Sequence, residues 1–222
     1  AWNGPNGPVQ VSVLYTPDYA SNAQPVLQAT IDSLDYFSKT LGGYPYGTAT
    51  AVVPPYGADE AGGMEYPTFF TADSTRQDQP GTLGRFALDF VTVHEFGHGY
   101  FYGILASNEF EEPMLDEGMN EYWDQRMMTA RKQDLLLTMP WLKALGIGTR
   151  LTPFDMERIG ASLSDPADPL GDNSWARLSS GSYGTVYSRT ATVMRQIEVG
   201  GFNDAPVAIT NTHSVGVVRD AL

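Results

Sequence analysis

Apolar and polar positions alternate from Val9 to Tyr15, with Val9, Val11, Val13 and Tyr15 on one side, which predicts a strand. From Gln24 to Leu41 the spacing becomes helical: Leu27, Ile31, Leu34 and either Phe37 or Leu41 share a face, and Gly42-Gly43 supplies a stop. Thr48 to Val53 reads as a second strand ended by Pro54-Pro55, and Pro67 to Thr71 as another. After Gly81, Leu83, Phe86, Phe90 and Val93 recur at three- and four-residue steps, and the helix they predict continues through His94 and His98 toward Tyr102. A second helix is expected from Asp116, a suitable N-cap, to about Lys132. A short helix is expected at Met139 to Leu145, and a last one from Val186 to about Glu198. Residues 160–184, rich in Ser, Asp, Pro and Gly, read as a long loop. The pattern divides the chain into a sheet-rich part, 1–80, and a helical part, 81–222.

Composition narrows what such a chain does. With 222 residues, 42% of them hydrophobic and 18% charged, it is neither disordered nor fibrous, and it is long enough to bury a core. The absence of cysteine excludes disulfides, thiolate catalysis and cysteine-ligated zinc. Thirteen basic against 26 acidic residues, a net charge of −13, argue against nucleic acid or an anionic membrane as partner. No segment reads as membrane-spanning; the uncharged stretch from Thr40 to Ala58 holds three prolines and four glycines. The first residues carry no signal-peptide pattern and no initiator methionine, so a processed protein or an excised piece is expected. Location stays open.

Two of the three histidines fall in His94-Glu95-Phe96-Gly97-His98. On a helix, positions i and i+4 share a face, so both imidazoles can reach one ion. Glu95 is offset by about 100° and can stand beside that ion instead of binding it. Zinc suits such a site because it takes imidazole and carboxylate in tetrahedral geometry and keeps a position for water. A neighbouring carboxylate can then take the water's proton and pass it to a leaving amine. The bland alternative is two histidines on an ordinary amphipathic helix. Glu117, after 18 intervening residues and on the next expected helix, is a suitable third ligand. Glu121, one turn on, is either a residue that orients a ligating histidine or part of a solvated face, as Glu109, Glu111, Glu112 and Asp124 are expected to be.

The His-Glu-x-x-His pattern followed by 18 residues and Glu resembles the zinc aminopeptidases related to membrane alanyl aminopeptidase and puromycin-sensitive aminopeptidase. Gly62-Gly63-Met64-Glu65-Tyr66, with Glu65 29 residues before His94, resembles that family's Gly-Ala-Met-Glu-Asn segment, with Gly63 in place of Ala and Tyr66 in place of Asn. Read alone, that segment is a turn with a surface Glu. The resemblance makes it a sheet edge that pairs with a peptide backbone, with Gly62, Gly63 and Met64 beside the substrate and Glu65 receiving its α-ammonium. Val186-Tyr187-Ser188-Arg189-Thr190 resembles the family's Tyr-x-Lys-Gly segment, Arg189 and Thr190 replacing Lys and Gly. It implies Tyr187 as donor to the oxyanion, with Tyr183 as a nearby competitor.

The resemblance runs from about Val9 to Glu198, including Tyr44-Pro45-Tyr46; the tail 200–222, with His213 as a bystander, matches nothing. It implies an α+β, thermolysin-like catalytic domain, one Zn2+ per chain in the cleft between its halves, and a peptide substrate with a free N-terminus. It also implies that the N-terminal and C-terminal domains of a larger parent enzyme are missing. Alternatives on the same scaffold are an endopeptidase and a hydrolase of non-peptide substrates such as epoxides. A catalytically silent zinc- or peptide-binding fragment is a third.

Overall fold

The computed structural model describes residues 1–58, 61–137, 140–165 and 169–200. His213 and the tail therefore lie outside the described residues. Among the described residues the fold is mixed, helices with one mixed sheet and a small hairpin, and the chain divides into two compact units. Among the described residues, no helix is long and apolar enough to cross a membrane.

The first unit, residues 1–99 with 127–152, holds the sheet. Its strands are β1 (Trp2–Gly4), β2 (Gly7–Tyr15), β3 (Thr48–Val53), β4 (Met64–Tyr66) and β5 (Phe69–Thr71), in the order β1-β2-β3-β5-β4. The pairs β2/β3 and β3/β5 are parallel, while β1/β2 and β4/β5 are antiparallel. A parallel pair needs a long crossover, and α1 (Ala20–Thr40) supplies the one between β2 and β3. The β4/β5 turn is tight, with Thr68 at φ 61. Helix α2 (Leu83–His98) packs on α1. The end of α3 (Met119–Ala130) and a hairpin of β6 (Leu135–Leu137) with β7 (Thr149–Leu151), enclosing α4 (Pro140–Ala144), complete the unit.

Helix α1 begins four residues before the expected Gln24, and its buried face differs from the expected one. Leu34 and Phe37 are buried, but with Asn22, Val26, Ala29, Thr30 and Ser33 instead of Leu27 and Ile31. The reason is local: the Thr30 and Ser33 hydroxyls donate to the carbonyls of Val26 and Ala29, both at 2.8 Å. Satisfied in this way, small polar side chains pack closely in an interior.

The second unit comprises residues 100–126 and the chain from 153, and among the described residues its elements are helical. It contains most of a π-helical stretch over Gly99–Ile104, a second one over Met114–Gly118, most of α3, and α5 (Pro153–Ser162), α6 (Ser174–Ser180) and α7 (Thr185–Gly200). Asp116 is not an N-cap: the helical turn starts before it, and Asp116 is fully buried within that turn. The long loop is also overturned in part, because α6 interrupts it. Asn173 caps α6 by accepting from the Ala176 amide at 3.0 Å, and Gly181, at φ 74, ends it. Helix α7 packs on the Met114–Gly118 turn so closely that a β-carbon on Gly118 would overlap Thr190 and the Val186 carbonyl.

Candidate active site

Helix α2 starts at the Thr82 cap, whose hydroxyl accepts from the Arg85 amide at 3.2 Å. From Thr92 to His98 every residue is buried, so this end of the helix lies in the interior. Phe96 anchors it. Its ring stacks on Phe37 (6.1 Å) and Tyr44 (5.4 Å) and meets Phe70 edge-on at 6.4 Å. With that face held by α1 and the sheet, the faces carrying His94, Glu95 and His98 are fixed in direction.

His94 and His98 are perpendicular rings with centroids 4.7 Å apart and Nε2 atoms 3.2 Å apart. Two nitrogens each about 2.05 Å from one tetrahedral ion stand about 3.3 Å apart, so the pair fits zinc. The same separation fits an imidazole N–H···N hydrogen bond, and metal uptake distinguishes the two. Donor atoms of His94, Glu95 and His98 all lie within 4.8 Å of one another.

Strand β4 ends the sheet order, so the segment expected to meet a peptide is an edge strand. Glu65 pairs with Phe70 across the ladder, and its carboxylate comes within 4.8 Å of a His98 ring nitrogen. Gly63 adopts φ 66, and a β-carbon there would stand 3.4 Å from Glu95 Oε1 and 4.0 Å from Val91 Cγ1. Glycine at this position thus meets both a left-handed backbone and a close carboxylate. Met64 is exposed, and Gly62 packs near the Ala72 carbonyl. The structure therefore brings Gly63 and Glu65 to the helix that carries the histidines, within the same unit.

Glu117, Glu121 and Tyr187 belong to the second unit. Tyr187, in the first turn of α7, hydrogen-bonds Glu117. Burial, then the Glu117 charge and that hydrogen bond, push the phenol far above its ordinary value, so it stays protonated and a donor. Tyr183 faces Tyr187 edge-on at 6.1 Å, and burial with the Glu117 charge pushes it to about 12. Glu121 is buried and accepts from the Ser188 hydroxyl at 3.4 Å, so it is not on a solvated face, and neither is the fully buried Asp124.

The sequence reading missed a pocket of about 500 Å3 in the first unit, whose lining includes Pro54, Tyr56, Gly62, Gly63, Asp73 and Val91. Asp73 carries no motif to mark it among 26 acidic residues; only the β4/β5 hairpin brings it beside Gly62. Compared with known proteins, the chain matches no family model and no curated sequence.

Proposed function

We propose that the chain is a zinc aminopeptidase with a thermolysin-like catalytic domain, hydrolysing the N-terminal peptide bond of peptides. The observation that carries this is the pair of buried Nε2 atoms 3.2 Å apart, with Glu95 between the two histidines in sequence and facing Gly63 of the sheet edge. His94 and His98 would hold Zn2+, with Glu117 as third ligand on its sequence spacing. Bound there, zinc supplies polarisation of the scissile carbonyl and of a water whose pKa falls to about 7.

The chain's own residues do the rest. Glu95 takes a proton from water and returns it to the leaving amine. Glu65 receives the substrate's α-ammonium, which limits cleavage to the first residue, while Gly62, Gly63 and Met64 pair with the peptide backbone. Tyr187 gives up its hydrogen bond to Glu117 and donates its hydroxyl proton in a hydrogen bond to the oxyanion as negative charge develops. Glu121 orients a ligating histidine.

The test is zinc stoichiometry together with turnover of an aminoacyl reporter bearing a free amine. One zinc per chain and turnover that falls at least about a hundredfold in Glu95→Gln are expected. Activity indifferent to Glu95 overturns the mechanism, and absence of metal uptake overturns the site. Turnover of N-terminally blocked peptides would favour the endopeptidase reading, and turnover of epoxides the non-peptide one.

A further inference from the structure

The pocket beside Gly62 and Gly63 has no part in the chemistry above, yet it shares both glycines with the proposed substrate edge. The order of groups along that edge gives it a direction. With the amine at Glu65, a peptide paired antiparallel to the edge runs back past Gly63, which faces Glu95, toward Gly62 and the pocket. The bond to be cut then lies near Glu95, and the side chain that follows it faces the pocket. This rests on the aminopeptidase reading.

The lining has a definite chemistry. Pro54, Pro55 and Val91 offer apolar wall, and among the described residues Asp73 is the one charged lining position. Asp73 Oδ1 accepts from the Ser74 amide at 2.6 Å, and among the described residues no cationic side chain pairs with its carboxylate. Arg76 stacks over the Tyr56 ring at 5.0 Å instead and is not part of the lining. Between Pro54 and Ser74 the sequence carries four acidic residues and no basic one. The loop bearing Asp73 is also held firmly. Buried Asn22 donates to the Thr75 carbonyl at 2.9 Å and accepts from its amide at 2.8 Å, and the Ala72 amide donates to Val52 at 2.8 Å.

We infer that this pocket receives the second residue of the substrate and prefers Lys or Arg there, the methylene stem lying on the apolar wall and the cation meeting Asp73. The substrate class is thus a peptide with a free N-terminus and a basic second residue.

The experiment compares Ala-Lys, Ala-Ala and Ala-Glu peptide amides on the zinc-loaded full chain as wild type, Asp73→Asn and Asp73→Glu. In the wild type, kcat/KM for Lys over Ala at the second residue is expected to be about tenfold, with Glu below Ala. In Asp73→Asn, which keeps an acceptor for the Ser74 amide, that ratio falls to near one; Asp73→Glu retains a preference. No preference for Lys in the wild type, or an unchanged ratio in Asp73→Asn, overturns the inference. Binding of the same peptides to Glu95→Gln protein by calorimetry separates it from the enzymatic reading. Asp73-dependent preference in binding without wild-type turnover keeps the pocket and removes the aminopeptidase. Turnover without Asp73-dependent preference does the reverse, and neither signal overturns both.

Discussion

Glu65 and Glu95 are carboxylates in the same unit, both near His98, yet the proposal gives them opposite work. Glu95 moves protons, whereas Glu65 holds a fixed cation, and substitution separates the two roles. Glu65→Gln is expected to raise KM for free-amine substrates tenfold or more while zinc content stays at one per chain. Loss of zinc in that variant would instead make Glu65 a ligand, a role its approach to His98 within 4.8 Å keeps in view. Tyr187 is read through kcat. Tyr187→Phe removes a donor without changing the ring, so kcat should drop about a hundredfold or more with KM little changed. Equal loss in Tyr183→Phe, with Tyr187→Phe nearly silent, would move the role to Tyr183.

Helix α2 carries a second buried charge one turn and more before the histidines. Asp89 is fully buried and pairs with Arg85 at 3.0 Å, four residues back on the same helix. Burial raises its carboxyl pKa, against the lowering pull of Arg131 and Arg85. A carboxyl raised in the folded state binds protons there more readily than in the unfolded chain. It therefore costs stability as pH rises above the ordinary 3.8, until it is fully ionised. Asp89→Asn lacks that titration. Its stability relative to wild type should improve as pH rises from about 3.8 through that window, as denaturant midpoints at several pH values would show. A wild-type profile parallel to that of the variant would contradict the assignment.

At this scale the sequence was legible where period and function coincide. The α2 pattern and its histidine pair can be read directly, because the apolar spacing and the His94–His98 spacing share one helical repeat. The β2 and β3 strands are legible for the same kind of reason, alternation and proline stops. Illegible were the polar core of α1, hidden because Thr30 and Ser33 satisfy themselves on the backbone, and α6, whose seven residues lie within a Ser- and Asp-rich run. Asp73 was illegible because its partners Gly62 and Val91 are distant in sequence and join it only in the folded unit.

For the molecule as a whole, metal is expected to act on stability as well as on turnover. A ligand that binds only the folded chain, present at a thousand times its Kd, adds about 4 kcal/mol. In a chain of this size that amounts to a rise in Tm of about 10 °C. Chelation should remove it, and His94→Ala should show no response to chelator in a thermal melt. An unchanged wild-type Tm would leave the histidines as a hydrogen-bonded pair in the core.

Strand β4 lies at the end of the sheet order, with Met64 and Tyr66 exposed. A strand at the end of a sheet can pair with the same strand of a neighbouring copy, which makes it a seed for self-association. At neutral pH the net charge of −13 keeps copies apart. As acid neutralises the carboxylates that repulsion fades, and the edge that gives the chain its proposed grip on peptides becomes the place where copies would begin to stack.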